Sequence, residues 1–121
     1  MATILTVDDS PSVRQVVKIV LGGAGYTVIE AVDGAEGLAK AKANPVNMVI
    51  TDLNMPVMNG LELIRNLRKV SSIVGIPIVF LTTESNESAK QEAKAAGATG
   101  WITKPFKPEQ LLAVVTKLVR K

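Results

Sequence analysis

Short apolar runs alternate along the chain with segments whose apolar residues recur every three or four positions. The runs are rich in β-branched residues and predict five strands, at 3–7, 26–30, 46–51, 76–81 and 99–103. The segments between them predict five amphipathic helices, at about 11–21, 34–43, 61–67, 85–97 and 108–120. The pattern therefore predicts a regular alternation of strands and helices.

Residues that favour helix ends support this division. Ser10 and Pro11 suit the N-cap and the first position of the first helix. The glycine-rich segment 22–25 ends that helix, Asp33 can cap the second helix, and the Asn-Pro pair at 44–45 ends it. The sequence shows no repeat or linker, and its 121 residues predict one domain over 1–121.

Five short apolar strands separated by helices indicate the α/β class, with a doubly wound five-stranded parallel sheet and five helices on its two faces. Connections in such units are right-handed, so the carboxyl ends of the strands meet at one edge of the sheet. Ligands bind at this edge in open α/β sheets. The residues that directly follow each predicted strand are therefore the candidates for a binding site.

Composition excludes several classes of chemistry. The chain has no cysteine and no histidine, so disulfides, thiol nucleophiles, Ser-His-Asp relays and typical zinc sites are ruled out. The net charge is +3, but the basic residues are scattered, which favours a solvated surface over nucleic-acid binding. The apolar stretches are too short to cross a membrane, and the N-terminus does not resemble a signal peptide. A cytoplasmic protein without membrane insertion is expected.

Polar residues follow four of the predicted strands. Adjacent carboxylates at Asp8 and Asp9 follow the first strand, although two such charges about 4 Å apart repel by roughly 4 kcal/mol at an effective dielectric of 20. Asp52 follows the third strand, Thr82 the fourth and Lys104 the fifth. The topology brings these residues to one edge, where a divalent cation can offset the repulsion.

These residue types suit phosphoryl transfer. A hard cation such as Mg²⁺ takes carboxylate oxygens, waters and phosphate oxygens as ligands. Asp52 is the candidate nucleophile, because carboxylates form acyl phosphates. Such a transfer needs positioning and cationic contacts to the phosphoryl oxygens, which the metal and Lys104 would supply. Thr82 and loop amides such as that of Thr83 would add hydrogen bonds.

Four motifs in order resemble the receiver domains of two-component response regulators. They are DD at 8–9, TDLNMPVMNG at 51–60, LTTE at 81–84 and KPF at 104–106. The resemblance covers residues 1–121 and is strongest for the stand-alone chemotaxis regulators of this family. It implies the flavodoxin-like strand order 2-1-3-4-5 that is known for the family.

The resemblance also implies roles for individual residues. Asp52 matches the phosphoacceptor, Thr82 the hydroxyl that contacts the phosphoryl group, and Lys104 the lysine that pairs with its oxygens. The implied Mg²⁺ ligands are Asp9, Asp52 and the backbone carbonyl of Asn54, with Asp8 acting mainly through water. The family further implies a cis peptide bond between residues 104 and 105, although X-Pro bonds in folded proteins are mostly trans.

Receivers take their phosphoryl group from a phosphohistidine on a sensor histidine kinase, here one of the chemotaxis type. They are not conventional enzymes, yet they catalyse their own aspartyl phosphorylation and dephosphorylation. Asn54 and Glu84 resemble the pair that borders the pocket of chemotaxis regulators, so a role in phosphate lifetime is expected. Because no output domain is expected, the signal should pass by protein contact. The target is either a flagellar motor switch protein or, for a phosphorelay intermediate, a histidine phosphotransferase; a receiver excised from a larger protein is the remaining alternative.

One position departs from the family. Trp101 stands where receivers usually carry the Tyr or Phe that moves inward on activation, so it is either this switch aromatic or an interface residue. The resemblance places a partner surface on the fourth helix, the fifth strand and the last helix. Our candidates for this surface are Lys90, Lys94, Trp101 and Lys107.

Three other classes of protein fit the sequence less well. A haloacid-dehalogenase-like phosphatase typically has a second Asp two residues after its nucleophile, where this chain has Asn54. A flavodoxin needs a phosphate loop after the first strand, and Asp8 and Asp9 would repel a phosphate there. A structural pseudo-receiver is disfavoured because every residue of the pocket is present.

Overall fold

The structure is a computed structural model that describes residues 2–71, 73 and 75–119. It contains five strands, β1 (Thr3–Val7), β2 (Thr27–Ala31), β3 (Met48–Thr51), β4 (Ile78–Thr82) and β5 (Gly100–Thr103). The helices are α1 (Pro11–Gly23), α2 (Gly34–Ala43), α3 (Gly60–Leu67), α4 (Glu87–Ala96) and α5 (Pro108–Leu118). Strands and helices alternate, which confirms the predicted α/β class.

The strands form one parallel sheet in the order β2-β1-β3-β4-β5. This is the predicted order, and β1 lies between β2 and β3. The three inner strands are almost entirely buried, as expected for a parallel sheet with helices on both faces. Each strand therefore ends at the same edge of the sheet.

Two apolar cores lie on opposite faces of the sheet. The first packs α1 and α5 against the sheet and includes Val17, Leu21, Ile50 and Val115. The second packs α2, α3 and α4 against the other face around Phe80. Helix α4 adds little apolar volume to this core, because its inner face carries alanines and its buried residue is Ala93. The two cores fix the strand ends relative to one another.

Helix ends follow the residues that predicted them. Ser10 accepts a hydrogen bond from the Val13 amide, and Asp33 accepts one from the Glu36 amide at 2.8 Å. Helix α3 begins with a capping box in which Asn59 and Glu62 satisfy each other's backbone amides. These caps mark where α1, α2 and α3 begin.

Several predicted boundaries differ from the observed ones by one or two residues, for identifiable reasons. Strand β2 begins one residue late because the Tyr26 amide bonds to Leu21 at the end of α1. Strand β4 begins at Ile78 because Pro77 has no N–H to donate. Helix α4 begins at Glu87, after its N-cap Asn86, and α5 ends at Leu118. The predicted last residue of α5, at position 120, lies outside the described residues.

Within the described residues, no helix is both long enough and apolar enough to cross a membrane.

Candidate functional site

Backbone hydrogen bonds extend the sheet by one residue at the strand ends and thereby place the candidate residues. The Asp8 amide donates to Ala31 at 3.0 Å, and the Asp52 amide donates to Val7 at 2.9 Å. The Lys104 amide donates to the Thr82 carbonyl at 2.7 Å. The side chains of these residues thus project from neighbouring positions along one edge.

The three predicted carboxylates form a cluster at this edge. One oxygen each of Asp8, Asp9 and Asp52 can be chosen so that all three lie within 4.8 Å of one another. Asp8 is 2% exposed, Asp52 is half-buried and Asp9 faces solvent. The cluster therefore opens to solvent on the side of Asp9 and is closed on the side of Asp8.

Lys104 bridges two of these carboxylates. Its Nζ lies 2.8 Å from Asp8 Oδ2 and 3.1 Å from Asp52 Oδ2. Burial acts to lower the pKa of Lys104, but the bonds and charges of Asp8 and Asp52 outweigh it and the pKa is raised. For Asp8, the effect of burial on the pKa is larger than that of the hydrogen bonds. Burial raises its pKa and outweighs the lowering by hydrogen bonds from Lys104 and the Ser10 amide.

Arg14 is a supporting residue that the sequence analysis missed. Its Nη1 donates to the backbone carbonyl of Asp8 at 2.6 Å, and its Nε donates to Glu30 at 3.3 Å. Asp8 Oδ1 also accepts from the Ser10 amide at 2.9 Å. The first turn of α1 therefore holds both the backbone and the side chain of Asp8. The available signal was the position of Arg14, one turn after the N-cap.

The β4–α4 segment begins at the same edge, where β4 ends between β3 and β5. Thr82 is fully buried, and its Oγ1 accepts a hydrogen bond from the Glu84 amide at 3.3 Å. Thr83 is exposed and Glu84 is half-buried, with its carboxylate accepting from the Asn86 amide at 3.1 Å. Asn54 is exposed on the β3–α3 loop. The peptide bond between residues 104 and 105 is cis, as the resemblance implied.

Trp101 is half-buried and turned toward the pocket wall. Its Nε1 donates to the backbone carbonyl of Glu84 at 3.1 Å. Its ring lies 5.5 Å from that of Phe80, centroid to centroid, with the planes tilted by 45°. The indole therefore occupies the space between β5 and α4, where it contacts the core and the β4–α4 segment at once.

Three of the four residues predicted for the partner surface line one groove. Lys90, Lys94 and Trp101 line a cavity of about 190 Å³ between α4 and β5. Lys107 is exposed at the N-cap of α5 and does not line this groove.

The donor set at the strand ends fits a hard divalent cation. Carboxylate oxygens are the ligands that such ions prefer. Three carboxylates with one ammonium give the site a net negative charge. Burial raises the pKa of Asp8, and a cation near its carboxylate would favour the charged form. Asp8, Asp9 and Asp52 are therefore suitable metal ligands.

Comparison with known proteins identifies the family. The model of the response regulator receiver domain matches residues 4–116. The chain belongs to this family. It is similar to the chemotaxis protein CheY1 of Helicobacter pylori, with 42% identity over 110 residues and 89% of each chain covered. Receiver domains are phosphorylation-activated switches of two-component signalling, and they interact with histidine kinases and downstream targets.

Solved structures of receivers show the same architecture. Vibrio cholerae CheY4, a chemotaxis protein, superposes with a TM-score of 0.95 at 49% identity, covering 98% of this chain and 99% of that one. The receiver domain of a Pseudomonas aeruginosa sensor histidine kinase gives a TM-score of 0.89 at 26% identity, with 97% and 96% covered. That structure has a magnesium ion coordinated in its active-site cleft. The flavodoxin-like fold is thus confirmed.

Proposed function

We propose that this receiver accepts a phosphoryl group on Asp52 from a phosphohistidine of a chemotaxis-type sensor histidine kinase. The observation that carries the proposal is the bridge of Lys104 Nζ to Asp8 and Asp52 beside a third carboxylate. It joins a nucleophile, a cation and a metal-ligand set in one partly open pocket, the combination that phosphoryl transfer requires.

In the proposed reaction, an Asp52 carboxylate oxygen forms a bond to phosphorus as the bond from phosphorus to the donor imidazole nitrogen breaks. The bonding electrons remain on that nitrogen, and the imidazole leaves neutral when the phosphohistidine is protonated at its other nitrogen. Lys104 is already within 3.1 Å of Asp52 and would pair with the phosphoryl oxygens. The Thr82 hydroxyl and the Thr83 amide would donate hydrogen bonds to the same group.

Mg²⁺ is the proposed cofactor. Asp9, Asp52 and the Asn54 carbonyl would hold it directly, and Asp8 would contact it through water. When bound, the ion would offset the negative charge that the carboxylates and the phosphoryl oxygens bring together. Asp8 keeps its own contacts to Lys104 and to the first turn of α1, which suits an indirect role.

Signalling by direct protein contact is the proposed output. The similarity to CheY1 and CheY4 supports chemotaxis, with a flagellar motor switch protein as the target. The groove lined by Lys90, Lys94 and Trp101 supports a surface for such contact, and Lys107 lies outside it. The likeness to the receiver of a sensor histidine kinase supports the second candidate, a receiver that exchanges phosphate with a histidine phosphotransferase.

Intact mass after incubation with a small acyl phosphate tests the central reaction. We expect one phosphoryl group on the native chain in the presence of Mg²⁺, none after chelation, and none on Asp52→Asn. Addition to Asp52→Asn at the native rate would place the acceptor elsewhere. No addition to the native chain under any condition would contradict the proposed switch.

A further inference from the structure

The β3–α3 loop contains one strained backbone position beside the acidic pocket. Val57 has φ 69° and is 81% exposed, so its side chain has little contact that would favour this conformation. A positive φ is rare for a β-branched residue, because its Cβ substituents collide with the backbone. The Met58 amide donates to the Pro56 carbonyl at 2.7 Å, which is the pattern of a γ-turn centred on Val57.

Contacts on both sides of Val57 hold the loop in this conformation. The Gly60 amide donates to the Leu53 carbonyl at 2.8 Å and closes the loop behind Asp52. On the far side, the Gly34 amide at the start of α2 donates to the Met58 carbonyl at 3.2 Å. These two hydrogen bonds fix the loop on either side of Val57. Val57 therefore takes the positive φ that is needed to connect them.

Gly34 allows this close approach because it has no side chain. A Cβ at this position would collide with the Met58 carbonyl oxygen and lie 2.8 Å from Met58 Cβ. The Met58 sulfur in turn accepts from Asn66 Nδ2 at 3.9 Å, which ties the same residue to α3. Met58 is therefore fixed between two helices, and the Gly34 contact is the one that a single methyl group would break.

We propose that the contact between Met58 and Gly34 holds the β3–α3 loop in the arrangement that forms the acidic pocket, while the positive φ of Val57 opposes it. The loop thus has a pinned state, with this contact made, and a released state, in which Val57 relaxes to a negative φ. Gly34 and Val57 are positioning residues, since they act through the β3–α3 loop, which carries Asp52 and Asn54. The metal-binding part of this inference rests on the proposed function.

Two substitutions should shift the balance in opposite directions. Val57→Gly removes the steric cost of a positive φ and so favours the pinned state. Gly34→Ala places a methyl group against Met58 and so favours the released state. A residue needed only for stability would not give opposite effects on one and the same loop.

Amide hydrogen exchange of the metal-free chain measures the pinned state directly. Val57→Gly should slow exchange of the Gly34 amide about tenfold, because exchange of a bonded amide follows its opening equilibrium. Val57→Thr is the matched control, since threonine is also β-branched, and its rate should stay within about twofold of native. Equal rates in the native chain and in Val57→Gly would overturn the proposal.

Calorimetric titration with Mg²⁺ provides the second readout. Gly34→Ala should raise the Kd for Mg²⁺ by at least about fivefold, a modest loss for a disturbed ligand shell. Gly22→Ala is the control, because a Cβ there meets nothing within 4 Å. Native affinity in a folded Gly34→Ala would overturn the proposal. If that variant does not fold, exchange of the Gly34 amide in the native chain, Val57→Gly and Val57→Thr decides alone. If the native chain binds no Mg²⁺, the proposed function fails, whereas the metal-free exchange comparison still decides the positioning contact.

Discussion

The indole Nε1 of Trp101 donates to the backbone carbonyl of Glu84 at 3.1 Å, while the amide of the same glutamate donates to Thr82 Oγ1 at 3.3 Å. One residue therefore connects the indole to the buried threonine at the wall of the pocket. Any movement of the Thr82 hydroxyl toward a phosphoryl group must break or shift the bond from Glu84. The indole would then lose its acceptor or follow it.

Phosphorylation should therefore change the fluorescence of this protein. The chain has one tryptophan, so the emission reports on Trp101 alone. We expect a change in emission intensity or wavelength when Mg²⁺ and a small acyl phosphate are added together, and reversal as the phosphoryl group is lost. The Asp52→Asn variant is the control and should respond only to Mg²⁺. An emission spectrum that stays constant while intact mass shows phosphorylation would mean that Trp101 is uncoupled from the pocket.

The placement of the site residues was predictable because it depends on topology. Once strands and helices alternate, a parallel sheet brings residues 8, 52, 82 and 104 to one edge, whatever the details of packing. The strand β1 and the caps Ser10 and Asp33 were also predicted, since their signals are local.

Other features depend on packing between distant segments and could not be predicted. The positive φ of Val57 results from contacts at Gly34 and Gly60, and the sequence around Val57 does not predict such a turn. The direction of the Trp101 ring likewise depends on Phe80 and the β4–α4 segment. Both features lie where segments that are distant in the sequence pack against each other.

Neutralising Asp8 should stabilise the metal-free protein at neutral pH. Burial raises the pKa of Asp8, so the folded chain binds this proton more tightly than the unfolded chain does. The resulting stability is fully present below the unfolded value near 3.8 and is lost as pH rises through the higher folded pKa. Asp8→Asn removes this loss. We expect the free energy of unfolding at neutral pH to rise by roughly 1 kcal/mol, a typical size for one substitution.

Thermal unfolding in a chelator, measured as a function of pH, checks this expectation. The Tm of the native chain should fall relative to that of Asp8→Asn as pH rises through the window above 3.8. Mg²⁺ should raise the native Tm more than that of the variant, because a ligand stabilises in proportion to its affinity for the folded state. A variant that is less stable than native at neutral pH in the chelator would contradict the argument.

Asn54 and Glu84 should affect how long the phosphoryl group persists. Asn54 is exposed on the loop after Asp52, and Glu84 is half-buried beside Thr82, so both can orient or exclude an attacking water. We expect the dephosphorylation rate of Asn54→Ala and of Glu84→Ala to differ from native by at least about tenfold, which is less than the roughly 10²–10⁴-fold that a positioned acid or base typically contributes. Decay of the phosphorylated mass measures this rate. Dephosphorylation rates equal to native in both variants would show that neither residue affects the lifetime of the phosphoryl group.

Replacing Lys104 should separate metal binding from phosphoryl transfer. Its Nζ lies within 3.1 Å of carboxylate oxygens of both Asp8 and Asp52, so it competes with a metal ion for the negative charge of the same carboxylates. In Lys104→Met the carboxylates lose their cation, and we expect the metal-free chain to lose about 2 kcal/mol of unfolding free energy, less than for a fully buried pair. The affinity for Mg²⁺ should rise, because the unpaired carboxylates attract the ion more strongly. The phosphorylation rate should nevertheless fall, since no ammonium remains to pair with the phosphoryl oxygens.

Lys107→Met is the matched control for this charge change. Lys107 is exposed at the N-cap of α5 and makes no side-chain cap hydrogen bond, so its loss should leave affinity and rate near native. Calorimetry with Mg²⁺ and intact mass with an acyl phosphate give the two readouts on the same samples. If Lys104→Met bound Mg²⁺ more weakly than native, the lysine would be a support for the ligand set and not its competitor. A native phosphorylation rate in that variant would show that the ammonium is not needed to pair with the phosphoryl oxygens.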